Sequence, residues 1–332
     1  MTATEPAPTA STLPPVPSRP ARPRWRRPAW GDRAFLLLAG LGAAALVGLS
    51  ALLVIVLVYG SRSTLQRFGF SFLTTRVWRT APYNVYGIVP FLIGTLAPSA
   101  LAMLIAIPLS LGAAIFLTQH APPWLRTPVG QVIELLAAIP SIVFGFWGLI
   151  VLVPIMRYQV EPPLHQYLGW TGIFGASPTG LDLLTAGVVL SVMTIPTITA
   201  VGRDALATVP RSQKEAALGI GATDWEVTRH VVLPYARGGI AGGIALGLGR
   251  ALGETMAVTL VVGNSEVVPT SLLSHGQTIA SQIANHFTET SGTLETSALI
   301  EAGLVLLIIT LAINLVARGI LARSRLGEPG EE

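Results

Sequence analysis

The stretch Gly238-Gly239-Ile240-Ala241-Gly242-Gly243-Ile244-Ala245-Leu246-Gly247-Leu248-Gly249-Arg250-Ala251-Leu252-Gly253-Glu254-Thr255-Met256 carries charge only at Arg250 and Glu254 and has no polar face. A helix of that character is surrounded by lipid or by other apolar helices. Glycines 239, 243 and 247 recur every four residues and lay a smooth strip along one side, which lets another helix approach closely; Gly249 and Gly253 repeat the spacing beside the charged pair. Five further blocks share the apolar character, so this span, placed at about 238–262, is one of six. The others run at about 34–58, 89–117, 134–156, 183–202 and 298–317. A helix needs about 20 apolar residues to cross the hydrocarbon core, and these blocks supply them. Prolines 98, 108, 140, 154 and 196 fall within or at the ends of the blocks. They imply kinked or broken helices inside a bundle, where neighbours re-satisfy the freed carbonyls. The expected fold is an all-α polytopic membrane protein with six transmembrane helices.

Composition points the same way. The 332 residues are 51% hydrophobic and 11% charged, too little polar surface to coat a soluble globule of this size. There is no cysteine, which excludes disulfides, thiolate metal sites and cysteine nucleophiles. The net charge of +4 would suit nucleic acid, but the basic residues lie where a membrane protein needs them, so no nucleic-acid partner is expected. Residues 1–33 hold eight prolines and six arginines and cannot form a packed core; they are expected to be a disordered cytosolic tail, followed by a transmembrane domain over 34–325 and a short cytosolic tail over 326–332. With the first tail inside, 15 of the 21 basic residues are cytosolic, five are outside and Arg250 lies within a span. The bias favours both termini inside. Arg126, Lys214 and Arg323 are then cytosolic, and Arg76, His165 and His275 are outside.

The first outer loop opposes the bias, carrying Arg62, Arg67, Arg76 and Arg79 with no acid. Its aromatic residues, Phe68, Phe70, Phe72, Trp78, Tyr83 and Tyr86, suit either a belt at the headgroup level or a surface that receives an anion or a docking partner. Loops 157–182 and 263–297 face the same side.

Between the fourth and fifth spans, within the segment 205–237, lies Glu215-Ala216-Ala217-Leu218-Gly219-Ile220-Gly221, then Ala222 to His230, then Val231-Val232-Leu233-Pro234. Residues 211–220 form a short amphipathic helix, with Ala216, Ala217 and Ile220 available to pack in a groove and Lys214 and Glu215 at its rim. Gly221 can take the positive φ that ends the helix, and Thr223 or Asp224 can cap the next. A helix–turn–helix held beneath two spans can transmit motion.

Arg250 sits near the bilayer midplane, where one charge costs about 2.5–3.5 kcal/mol on insertion scales, so it should face a cavity or a partner. Glu254 follows one turn later on the same face, and the two either pair or flank a common site. A fixed guanidinium offers planar, bidentate donors to a tetrahedral oxyanion. A carboxylate beside it would keep the anion from binding too tightly or accept a hydrogen bond from a protonated phosphate.

The pattern Glu-Ala-Ala, three residues, Gly, nine residues, an aliphatic, any residue, Leu-Pro resembles the coupling loop of ATP-binding-cassette importer permeases at Glu215, Ala216, Ala217, Gly221, Leu233 and Pro234. Three further stretches resemble the PstC-type phosphate permease family. They are Gly249 to Val258 with Gly263-Asn264, Glu134 to Leu149, and Tyr86 to Leu96, and the likeness covers roughly 35–325. The resemblance implies a type I importer (MetI-like) bundle in the bacterial cytoplasmic membrane. It also implies phosphate translocation involving Arg250 and Glu254, and docking of the loop helix in a cleft of a separate ATPase. The implied partners are a PstA-type permease, a PstB-type ATPase dimer and a PstS-type phosphate-binding protein. This chain has one lysine and no Gly-x-x-x-x-Gly-Lys loop, so MgATP is expected on the ATPase, with no cofactor or metal here and no catalytic role. One arginine alone does not separate phosphate from sulfate or molybdate. A membrane-embedded hydrolase using Glu254 or Glu134 would lack His-Glu-x-x-His, Gly-x-Ser-x-Gly and an intramembrane aspartate pair.

Overall fold

The computed structural model describes residues 30–290 and 292–323. The tails expected over 1–29 and 326–332 lie outside the described residues, while residues 30–33, assigned above to the tail, already belong to the first helix, Trp30–Gly60. The chain divides into two compact units, residues 1–53 and 54–332. Over its described residues the first is helix throughout.

Among the described residues six helices are long and apolar enough to cross a membrane: Arg33–Gly60, Val89–His120, Ser141–Thr171, Leu183–Ala207, Asp224–Gly253 and Thr293–Ala317. The fourth is the central one, with 67% of its most apolar window buried against 17–33% for the second, third, fifth and sixth. It is launched by Asp182, whose Oδ1 accepts the backbone N–H of Thr185 at 2.8 Å and so satisfies one of the orphan donors of the first turn. The glycine strip of the fifth span lies against it. A Cβ added at Gly247 would stand 2.7 Å from Ile198, and one at Gly243 would stand 3.2 Å from Val201, so only hydrogen permits the first approach. The second span is tied in by side chains that reach across to backbone: Ser110 Oγ donates to the carbonyl of Ile195 at 3.1 Å and Ser99 Oγ to that of Ala251 at 3.2 Å.

Two expected spans have different limits. The block placed at 134–156 divides: a helix Pro123–Ala138 stops at extended Ile139 and Pro140, and the crossing helix begins at Ser141. Proline disfavours helical geometry in the residue before it and brings no N–H of its own, which accounts for the break. The crossing helix then continues beyond 156 through two π-turns, Gly148–Leu152 and Met156–Val160, into Glu161–Leu168, so much of the expected outer loop 157–182 is helical. The fifth span starts earlier than 238. Helix runs from Asp224 through a π-turn, Thr228–Val232, just ahead of Pro234, where the proline ring cannot accommodate a regular preceding turn. It ends at Gly253; Glu254 is extended (ψ 129°), and a separate short helix follows over Met256–Val261.

Half of the first outer loop's six aromatic residues face the protein's interior and are not available to a headgroup belt. Phe72, Trp78 and Tyr86 are buried with Phe91, Ile279, Leu299 and Ala302. Their rings meet edge to face, Trp78 lying 4.8 Å from Tyr86 and 5.2 Å from Phe91 between centroids. Phe70 and Tyr83 are exposed. Two of the loop's arginines rest on aromatic faces, Arg67 over Phe68 at 5.7 Å and Arg79 over Tyr83 at 5.6 Å, which gives them local partners.

Candidate functional site

Arg250 lies in the last turn of the fifth-span helix. Its Nη1 donates to Thr197 Oγ1 of the fourth span at 3.3 Å, a neutral partner that orients the guanidinium, and among the described residues no carboxylate compensates its charge. Glu254 does not pair with it. The helix has already ended, and Glu254 Oε1 instead accepts the N–H of Ala257 at 3.3 Å, serving the first turn of the next short helix. The arrangement one turn apart on one helical face is therefore corrected: the break between Gly253 and Met256 turns the carboxylate to a backbone donor, and among the described residues no ion pair joins it to Arg250.

Between the fifth and sixth spans Arg250 borders a cavity of about 730 Å³. Its other polar side chain is Asn314, and Gly242, Ala245, Leu246 and Leu311 form apolar wall. It is an open groove and not an enclosed chamber, since Leu246, Leu311 and Leu315 in its wall are all more than half exposed. Asn314 and Thr197 were missed in the sequence. A lone amide in the apolar sixth span was the signal available for Asn314; Thr197, one of several hydroxyl residues in the fourth span, offered none.

A second arginine, Arg203, stands near the C-terminal end of the fourth span. Its Nη2 meets Glu134 Oε1 at 2.6 Å and Asp204 Oδ1 at 3.1 Å. Glu134, weighed above as an acid or base, is thereby engaged in holding the helix Pro123–Ala138 to the fourth span.

The segment 211–234 forms the expected hairpin. Helix Arg211–Gly219 ends before Gly221, whose φ is +91°, and Thr223 caps the next helix with a complete capping box: Glu226 N–H donates to Thr223 Oγ1, and Glu226 Oε2 accepts the N–H of Thr223 at 2.8 Å. Ala217 and Leu233 pack on the cluster of Leu206, Val209, Val227 and Val232, which anchors the hairpin to the bundle, and Pro234 opens the long helix above. The expected faces change in part. Ala217 turns inward, and Lys214 donates to Gln119 Oε1 at 3.2 Å, where burial and the neighbouring Arg126 and Arg211 hold its ammonium pKa below the usual value. The outward surface is Glu215, Ala216, Gly221, Ile220 (88% exposed) and Trp225 (60% exposed). Trp225 was not anticipated; an exposed tryptophan in the first turn of a capped helix is a docking anchor in physical character.

Residues 106–325 match the family described as "Binding-protein-dependent transport system inner membrane component". The chain is 49% identical to the phosphate transport system permease protein PstC of Pasteurella multocida over 80% of its own length and 84% of that protein's. It is 46% identical to the protein of the same description from Mesorhizobium japonicum, with 87% of each chain covered. Among solved structures, a chain of a bacterial alginate ABC transporter in complex with an alginate pentasaccharide-bound periplasmic protein superposes with a TM-score of 0.57 at 19% identity, covering 89% of this chain and 97% of that one; at that identity the likeness bears on the fold alone. The chain therefore belongs to the PstC family of phosphate transport system permeases, multi-pass proteins of the inner membrane.

Proposed function

We propose that the chain is the permease subunit of an ATP-driven importer of inorganic phosphate and forms half of an alternating-access pathway. The observation that carries the reading is Arg250: a guanidinium in a membrane span, oriented by a neutral hydroxyl, with no carboxylate paired to it among the described residues and a cavity beside it. Such a group presents forked donors to a tetrahedral oxyanion that enters from water. Glu254, close in sequence but bound to backbone, limits how tightly the anion is held through its charge. The pathway residues are thus Arg250 and Glu254.

The outward face of the hairpin, with Glu215, Ala216, Gly221, Ile220 and Trp225, docks on a separate ATPase dimer of the PstB type, while Ala217, Leu233 and Pro234 transmit its movement to the fifth span. MgATP is bound and hydrolysed by that partner, and this chain carries no catalytic residue, cofactor or metal. A PstA-type permease supplies the other half of the pathway, and a PstS-type protein delivers phosphate to the outer end. Both termini are cytosolic. The test is ATP-dependent uptake of radiolabelled phosphate by the complete importer in proteoliposomes. Uptake that persists under a hundredfold excess of sulfate or molybdate is the expected result; loss of phosphate uptake to either competitor would assign the pathway to another oxyanion.

A further inference from the structure

The cavity beside Arg250 has a second polar group whose chemistry differs from that of the arginine. Asn314 Nδ2 donates to the carbonyl of Thr310, one turn back on its own helix, at 2.9 Å. That bond fixes the orientation of the amide, and among the described residues no donor meets Oδ1, the partly exposed acceptor at its other end. Asn314 also lies close to the fifth span just ahead of Arg250, since a Cβ added at Gly249 would stand 3.9 Å from its Nδ2. The rest of the wall is aliphatic or glycine. A strong cationic donor and an unused neutral acceptor therefore border one open, otherwise apolar groove.

We propose that Asn314 is the permease's selectivity residue: its Oδ1 accepts the hydrogen of a protonated tetrahedral oxyanion whose charged oxygens are held by Arg250. Phosphate at neutral pH carries a P–OH and satisfies both groups. Sulfate is fully ionised and has no proton to donate, so it would place an oxygen against the amide oxygen and leave that acceptor unpaired. A site built to bond a substrate hydroxyl rejects an analogue without one more strongly than a merely apolar pocket does. The proposal rests on the reading that Arg250 lies on the anion's path.

The binding protein's own selectivity would mask this step in transport, so the test reads the cavity directly. In this cysteine-free chain, Leu311→Cys places a single thiol in the cavity wall. Its rate of alkylation by uncharged N-ethylmaleimide is measured in the assembled importer with added phosphate, with added sulfate and with neither. Phosphate is expected to slow labelling at concentrations roughly tenfold lower than sulfate, and Asn314→Leu is expected to erase that preference while leaving weak protection by both anions, the loss of about one hydrogen bond to a charged ligand. Leucine suits an apolar span, and an unchanged labelling rate without anion reports an intact cavity. An undiminished preference for phosphate in the Asn314→Leu background, or equal protection by the two anions in the parent, would overturn the role of Asn314. Arg250→Gln should abolish protection by either anion. Full protection in that variant would instead overturn the reading of Arg250 on which the proposal rests.

Discussion

Arg203 and Arg250 are both arginines of transmembrane helices that pack on one another, and their surroundings differ in kind. Arg203 has two carboxylates within 3.1 Å, one of them on a different helix, so its charge is cancelled and its donors are used to join elements. Arg250 has one neutral hydroxyl at 3.3 Å and a cavity. A paired arginine has little left to offer a ligand, whereas an oriented but uncompensated one attracts any anion that reaches it. The contrast separates a structural arginine from a pathway arginine without reference to position in the sequence.

The largest effect that would break this contrast is a reversal of roles under conservative replacement. Arg250→Lys keeps the charge but loses the planar fork, and phosphate uptake is expected to fall at least roughly tenfold, equivalent to about 1.4 kcal/mol. Arg203→Lys should leave uptake within about twofold, since a partly exposed pair contributes only about 0–1 kcal/mol. Equal losses in the two variants, measured as initial uptake rates at matched amounts of complex, would erase the distinction.

A smaller effect concerns how the helix Pro123–Ala138 is held. Arg203→Gln should lower the melting temperature of the purified complex by a few degrees, and Glu134→Gln added to it should cause little further loss, because the two side chains act through one contact. Additive losses would mean that the pair does not join the two helices.

A last effect, on stability and not on transport, tests what becomes of buried charge with no cation paired to it among the described residues. Glu161 and Asp182 are fully buried at the start of the fourth span, Glu161 Oε2 accepting the N–H groups of Thr179 and Gly180 at 2.9 Å each, and Asp182 Oδ2 left without a partner. Burial, together with the charge of Glu161, pushes the Asp182 carboxyl up to about 7. Its folded-state value is raised above the ordinary 3.8, so the folded protein binds the extra proton between those values, and the stability it contributes at low pH is lost as pH rises toward 7. Asn at 182 can cap the helix as aspartate does without titrating. The melting temperature of Asp182→Asn should exceed that of the parent by a margin that grows from about pH 4 to about pH 7 and is constant above. A margin independent of pH would show that Asp182 is ionised throughout.

Much of the architecture was legible because it depends on local chemistry. Six apolar blocks, the glycine strip at 239, 243 and 247, the positive φ of Gly221 and a cap at Thr223 all follow from residue type and spacing. What was not legible depends on tertiary packing. Nothing local to Gly253-Glu254-Thr255 demands a break, since no proline is present, and without the break Glu254 falls on the face of Arg250. Arg203 and Glu134 are 69 positions apart in sequence, and only the packing of two helices brings them together. The aromatic residues of the first outer loop have the composition of a membrane belt, and their burial becomes visible only once the second and sixth spans supply Phe91 and Leu299 as neighbours.

The separation of Arg250 from Glu254 gives the most direct test of the central claim, that Arg250 serves the anion and not the fold. Uptake of radiolabelled phosphate is measured for Arg250→Gln and for the Arg250→Gln, Glu254→Gln double variant, in proteoliposomes containing matched amounts of assembled, ATP-hydrolysing complex. Because Glu254 accepts a backbone N–H and not the guanidinium, removing its charge relieves no unpaired partner. Uptake should be at background in the single variant and remain there in the double. A double variant that transports phosphate near the parental rate would contradict the account and identify the two residues as a structural pair.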